Sequence, residues 1–449
     1  MMKNSISILA ISIVLMLGGI SATAQVVTPA NYTPTKENLE ARAQFENGRL
    51  GIFLHWGIYS MFAQGEWYLN NGKLLDSEYV NAASGFYPSK FDASEWAKAF
   101  KEAGASYVTL TSRHHDGFSL FKTSTSDYNI VDGTPFKRDV VGELANACVD
   151  EGLRFHLYYS ILDWHRPDYP LGRTGLNTGR PKDRQDYDSY FNFMKVQVKE
   201  LLTNYPVGAL WFDGYWDQNV NPTFNWRMPE FYEYIHSIKP DCLIGNNHHI
   251  SPLPGEDFQM FEQDLPGENT AGLSGQAIGR LPLEACITMN RAWGYNISDK
   301  NYKSLDEIIR LLVRSASKSS NLLLNIGPRP DGKLPVEALE RLKGLGAWMK
   351  TYAPTINGTT STSIPVQPWG VTTRTAGKIF LHILNPDALP SNGNGRRLML
   401  PFSEKLASVT EFKSGKALTY KASKDGFVTI DVPATGLDTP DYVVTLELK

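Results

Sequence analysis

Gly208-Ala209-Leu210-Trp211-Phe212-Asp213-Gly214 is a small and apolar run closed by one carboxylate and a glycine. A run apolar at every position predicts a strand buried on both faces, as in parallel sheets covered by helices on each side. Further runs flank it, most of them likewise apolar through both faces: Gly51–Trp56, Tyr107–Arg113, Arg154–Ser160, Cys242–Asn246, Phe258–Glu262, Ala285–Asn290 and Asn321–Ile326. Amphipathic stretches alternate with them. Ser94–Ala103 starts on a serine cap, Val140–Glu151 stops before Gly152, and Tyr187–Leu202 is long. Pro229–Ile238 starts with proline, Ser304–Lys318 is capped by Ser304, and Pro335–Tyr352 starts with proline again. This alternation predicts an α/β chain folded as a (β/α)8 TIM-like barrel. A doubly wound open sheet is the alternative, but no Gly-x-Gly-x-x-Gly follows any of the runs.

The pattern changes at both ends. After Tyr352, Pro354, Asn357, Gly358 and the polar run Thr359–Ser363 mark a boundary. Beyond it Lys378–Leu384, Leu406–Lys413, Phe427–Val432 and Tyr442–Leu448 predict a small antiparallel β-sandwich over residues 356–449, following a barrel over 25–355. At the front, Lys3, the apolar Ile6–Ile20 and Ala22-Thr23-Ala24 have the layout of a signal peptide over residues 1–24. The expected location is therefore periplasmic or secreted, with no membrane anchor after cleavage. No cysteine near the cleavage site offers a thiol to a lipid. Cys148, Cys242 and Cys286 sit in apolar surroundings and are expected to be buried thiols rather than a disulfide framework. The 449 residues carry a net charge of −3 with no basic block, which argues against a nucleic-acid partner.

Barrels of this kind carry their chemistry at the C-terminal ends of the strands. Those ends are polar and aromatic here: His55 and Trp56; His114, His115 and Asp116; Tyr158, Tyr159 and then Asp163 to His165; Asp213; Asn246 and Asn247; Glu262; Asn290 with Arg291 and Trp293; Asn325. Asp213 is the sharpest, a lone carboxylate held at the rim by a rigid strand, as a nucleophile or a metal ligand would be. Capping of the next loop is the plainer role. Trp67 suits stacking on a sugar face or simple packing. A metal-dependent hydrolase would use His55, His114 and Asp213, although no His-x-His or His-Glu-x-x-His spacing occurs. No cofactor motif is present, and His248-His249 reads as loop surface.

These motifs together resemble the α-L-fucosidases of glycoside hydrolase family twenty-nine. Gly51-Ile52-Phe53-Leu54-His55-Trp56-Gly57, Glu66-Trp67-Tyr68, His114-His115-Asp116-Gly117-Phe118, Tyr158-Tyr159-Ser160, Trp211-Phe212-Asp213-Gly214, Trp293-Gly294-Tyr295 and Asn321 to Pro328 fall in family order. The resemblance spans about residues 37–360 and implies an exo-acting, retaining α-L-fucosidase that acts on fucosylated oligosaccharides or glycoconjugate glycans. It implies Asp213 as nucleophile, with His55, Trp67, His114, His115, Tyr158, Trp211 and Trp293 around the sugar. Asp257-Phe258-Gln259-Met260-Phe261-Glu262 resembles the segment that carries the general acid/base, which nominates Glu262, with Glu284 as runner-up; Glu256 and Glu268 are outsiders. One departure stands out. Many relatives have an arginine in an Asn-Asp-Arg-type motif after strand five, where this chain reads Asn246-Asn247-His248-His249, so that contact is lost or passes to His248. The readings from other classes are a non-catalytic sugar-binding barrel and the metal-dependent hydrolase above. Another retaining glycosidase, acting on a galactoside-like sugar, is a further alternative.

Overall fold

Eight strands line up side by side: β1 (Leu50–Leu54), β2 (Tyr107–Arg113), β3 (Arg154–Ser160), β4 (Val207–Asp213), β5 (Leu243–Asn247), β6 (Gln259–Glu262), β7 (Leu283–Thr288) and β8 (Ser320–Ile326). The computed structural model describes residues 32–449, so the leader expected over residues 1–24 lies outside the described part. Every hydrogen-bonded pair is parallel, in the order β5-β4-β3-β2-β1-β8-β7-β6. No ladder joins β5 to β6. The barrel is nearly closed there by loop backbone, with the Asp257 and Phe258 amides donating to the Ile244 carbonyl at 2.7 and 3.4 Å.

Helices Ala93–Glu102, Val140–Asp150, Tyr187–Asn204, Met228–Ile238, Leu305–Ser317 and Val336–Tyr352 cover the outside. Each buries an apolar stripe, as Ala93, Trp96, Ala97 and Phe100 do in the first. That helix is capped by Asp92, whose carboxylate accepts from the Glu95 amide, and not by Ser94, which lies inside the first turn. Ser304 does cap Leu305–Ser317, and Glu307 completes a capping box. No helix of the described residues is long and apolar enough to cross a membrane.

Strand periodicity sorts the side chains into two cores. On β4, Leu210 and Phe212 face the helices while Ala209 and Trp211 face the barrel interior, packed with Phe53, Tyr107, Tyr158, Leu243, Phe258, Met260, Cys286 and Leu323. A helix that the sequence reading did not anticipate, Lys36–Asn47, closes the N-terminal end. Its Phe45 packs on Tyr107 and Phe258 with ring centroids 5.3 and 4.9 Å apart. With Phe45 at one end, the cavity described below lies at the other.

A buried ion pair ties down the loop after β3. Arg113 donates to Asp163, to the Ser160 carbonyl at 2.6 Å and to the Tyr190 hydroxyl at 2.8 Å, and its guanidinium lies 4.7 Å from the Tyr159 ring. Asp163 also accepts from the His165 and Arg166 amides. Removing one partner of such a pair strands a buried charge, at about 3–5 kcal/mol. Asp163→Ala should therefore lower the urea unfolding free energy by about that much. A change within about 0.5 kcal/mol would show that the pair does not brace the loop.

Beyond residue 355 the chain forms two antiparallel sheets. After β9 (Gly370–Arg374), β10 (Lys378–Ile383), β11 (Gly395–Pro401), β12 (Leu406–Glu411), β13 (Tyr420–Ala422), β14 (Phe427–Pro433) and β15 (Tyr442–Leu448), the orders are β12-β15-β10-β9 and β11-β14-β13. They share one core that includes Leu381, Leu398, Ile430 and Val444, the sandwich arrangement. The sequence shows β10, β12, β14 and β15 by their apolar content, but not β9, β11 and β13, which are short or polar. The three cysteines are free and buried.

Candidate active site

A cavity of about 390 Å³ opens at the C-terminal ends of the strands, and Asp213, Glu262, His55, Trp67, His114, His115, Tyr158, Trp211 and Trp293 all line it. Phe53, Arg173, Thr174, Trp216, Asn247, His249 and Leu273 complete the wall. The volume suits one small, mostly enclosed ligand.

Asp213 is the last residue of β4. Gly214 then turns the chain away with φ of 102°, where a Cβ would meet the Leu162 side chain at 2.9 Å. The two carboxylate oxygens are held unequally. Oδ1 accepts from the Gly214 amide at 2.8 Å, Trp216 Nε1 at 3.2 Å and Asn247 Nδ2 at 3.3 Å, whereas Oδ2 accepts from the Tyr158 hydroxyl at 3.0 Å. Burial, and after it the charge of Glu262, pushes the Asp213 pKa up to about 6, against the pull of His249 and of the Tyr158 and Trp216 donors.

Glu262 ends β6, across the open seam of the sheet from β5. Its Oε2 accepts from Asn247 Nδ2 at 2.7 Å and is 2.9 Å from His249 Nε2. One amide nitrogen thus touches both carboxylates. With legs of 3.3 and 2.7 Å, Asp213 Oδ1 and Glu262 Oε2 stand no more than about 6 Å apart. Retaining glycosidases place their two carboxyls about 5–5.5 Å apart and inverting ones about 6.5–9.5 Å.

Burial disfavours the charged forms of His55, His114 and His115, and the tautomers of His55 and His115 follow from their partners. Asn325 gives its amide N–H to the Trp293 carbonyl at 2.8 Å, so its Oδ1 accepts from His55 Nδ1 at 2.7 Å and leaves His55 Nε2 a bare acceptor. Burial pulls the His55 pKa down to about 3. Ser160 spends its proton on the Leu162 carbonyl, so its oxygen accepts from His115 Nδ1 at 2.7 Å. His115 Nε2 is then also an acceptor, 3.5 Å from Asp213 Oδ2, two lone-pair atoms suited to a hydroxyl donor between or beside them. Burial holds His114 and His115 well below the ordinary histidine range. His114 stacks on Tyr158, ring centroids 5.4 Å apart.

His248-His249 is not loop surface: His248 is buried and bonded to Glu256 at 3.0 Å, and His249 lines the cavity. The residue that turns toward the site is thus His249, not His248. β7 begins at Leu283, so Glu284 lies within a strand rather than before it, but at the end remote from the cavity. It is buried below Trp211, accepting from Trp211 Nε1 at 2.9 Å and from Tyr107. Glu256 is buried against Tyr232, and Glu268 pairs with Arg314. Among the described residues, no three or more His, Cys, Asp or Glu side chains converge as a metal site would need. Trp67 stacks on Trp216, centroids 5.7 Å apart, and meets His115 edge-on. Arg173 and Thr174 come from a loop and Trp216 from the short 3-10 helix Tyr215–Val220, neither of which has a periodic signature.

A family model described as alpha-L-fucosidase matches residues 19–354. A plasma alpha-L-fucosidase of Rattus norvegicus is 32% identical over 365 residues, covering 74% of this chain and 74% of its own. Alpha-L-fucosidase isoenzyme 1 from Paenibacillus thiaminolyticus is similar in structure, with a TM-score of 0.80 at 32% identity, over 92% of this chain and 100% of that one. A GH29 alpha-L-fucosidase from Bacteroides thetaiotaomicron, solved as a trapped covalent intermediate with 2-fluoro-fucosyl fluoride in a glutamate-to-glutamine mutant, gives 0.79 at 26% identity. That match covers 93% of this chain and 98% of the other.

Proposed function

The chain belongs to the α-L-fucosidase family, and from that premise we propose that Asp213 is its nucleophile and Glu262 its general acid/base. The protein is a retaining glycoside hydrolase acting on fucosylated glycans. One observation supports the residue assignment: Asn247 Nδ2 reaches both carboxylates, so their facing oxygens lie within about 6 Å, short of the about 6.5–9.5 Å of an inverting pair.

Chemistry follows from the unequal oxygens. Oδ1 of Asp213 is saturated with donors, so Oδ2 attacks the anomeric carbon while Glu262 gives a proton to the departing glycosidic oxygen. Water then enters, Glu262 takes its proton, and the Asp213–sugar bond breaks with overall retention. His55 Nε2 and His115 Nε2 accept from sugar hydroxyls. Phe53, Trp211 and Trp293 supply apolar surface for a 6-deoxy sugar, and Trp67 with Trp216 closes one side. Asn247 stabilises both carboxylates and takes no proton.

The pH profile tests this reading. Asp213 attacks only when ionised, and its pKa is raised to about 6. On an aryl α-L-fucoside, kcat/KM should therefore fall as pH drops through about 6, tenfold per unit below it, the titration belonging to the carboxylate pair. A profile flat from pH 7 to about pH 4 would contradict the assignment.

A further inference from the structure

We propose that His249 is a positioning residue that decides which oxygen of Glu262 carries the transferable proton. The inference rests on Glu262 as the acid/base. Oε2 of Glu262 faces two nitrogens, Asn247 Nδ2 at 2.7 Å and His249 Nε2 at 2.9 Å, and Oε1 has no hydrogen-bond donor among the described residues. An oxygen that accepts two N–H bonds cannot also hold a proton without losing one of them. The proton of the acid form therefore sits on Oε1, and the same two bonds stop the carboxyl from rotating to exchange its oxygens.

The backbone is bent to make this contact. His249 has φ of 62°, in the left-handed region that a residue with a side chain seldom adopts. This conformation carries the ring from the loop after β5 to the end of β6. His248, one residue earlier, points to Glu256 instead. The charged groups facing His249 are Glu262 from β6 and Asp213 from β4, and Arg173 from the loop after β3 lines the same cavity. Burial lowers the His249 pKa, but the bond to Glu262 and the two negative charges outweigh it and hold it above the ordinary value. With Glu262 ionised, Nε2 thus carries a proton and donates to Oε2; the proposal is that it keeps that proton when Glu262 takes up its own, which then goes to Oε1. The sequence departure after strand five thus puts a ring with its own proton beside the acid/base.

The test uses the full chain and a series of aryl α-L-fucosides whose phenols differ in acidity. A phenol acidic enough to leave unprotonated needs no acid; a poor leaving group does. His249→Ala should lower kcat/KM by about 10–100-fold on the poorest leaving group and by less than about threefold on the best. His249→Gln, which keeps an N–H donor, should recover most of the loss. Equal loss across the series, or no loss, overturns the proposal, since a purely structural role does not discriminate between phenols. Glu262→Ala is measured alongside. If it shows the leaving-group dependence and His249→Ala does not, only the His249 inference fails. If Glu262→Ala shows none, the acid/base assignment itself falls, and the inference with it.

Discussion

Asp213→Asn should lower kcat on an aryl α-L-fucoside by about a thousandfold or more with the fold unchanged. The change is nearly isosteric and removes only the charge and one acceptor oxygen. A thousandfold is about 4 kcal/mol of transition-state stabilisation, a fair demand on the atom that forms the covalent bond. The fold should not notice. β4 is held by ladders to β3 and β5, and its neighbours Leu210 and Phe212 are buried among the outer helices. Circular dichroism and the unfolding midpoint separate lost chemistry from lost structure. Residual activity above about a tenth of wild type, with the substitution confirmed, would remove Asp213 from the covalent step.

Glu262→Ala should give the second-largest effect, of a different shape. With a poor leaving group the first step loses its acid and the rate falls by about 10²–10⁴-fold. With a very acidic phenol the first step needs no proton, and hydrolysis of the fucosyl-enzyme becomes limiting because its base is gone. Azide, which needs no base, should then speed turnover and give a fucosyl azide of retained configuration. Glu284→Gln is the contrasting variant. Glu284 lies below the floor and touches Trp211 and Tyr107, so its loss should loosen the Trp211 ring without the leaving-group signature. If Glu284→Gln reproduced the Glu262→Ala pattern, the acid/base assignment would have to be reversed.

The barrel is legible in the sequence because most of its buried parallel strands are apolar through both faces, with polar residues at or just beyond one rim. Asp213, Glu262, His55, His114 and His115 are legible as strand-end residues from position, and their roles only through the family resemblance. The start of β7 is Leu283 and not Ala285, but the two-residue difference leaves Glu284 at the end of the strand remote from the cavity. Asn247 looked like one more strand end; its importance lies in reaching across the β5–β6 seam, a tertiary fact. His249 reads as surface in the sequence because nothing in a loop sequence announces a left-handed φ. Arg173 and Thr174 reach the cavity because Asp217 accepts from the Thr174 amide and hydroxyl at 2.8 and 2.7 Å and from the Tyr169 hydroxyl at 2.7 Å. Such loop-to-loop bonds leave no periodic trace. The helix Lys36–Asn47 has a mostly polar surface, and only Phe45 shows what it plugs.

Trapping the intermediate tests the nucleophile directly. The protein is incubated with 2-fluoro-fucosyl fluoride until activity is lost, digested at low pH, and the peptides are weighed and fragmented. The 2-fluoro group slows both steps by destabilising the oxocarbenium-like transition state, and the fluoride leaving group restores the first, so the covalent species accumulates. The expected result is one 2-fluoro-fucosyl group on the peptide containing Trp211-Phe212-Asp213-Gly214, located at Asp213. The label on Glu262 or any other side chain, or inactivation without a label, would contradict it.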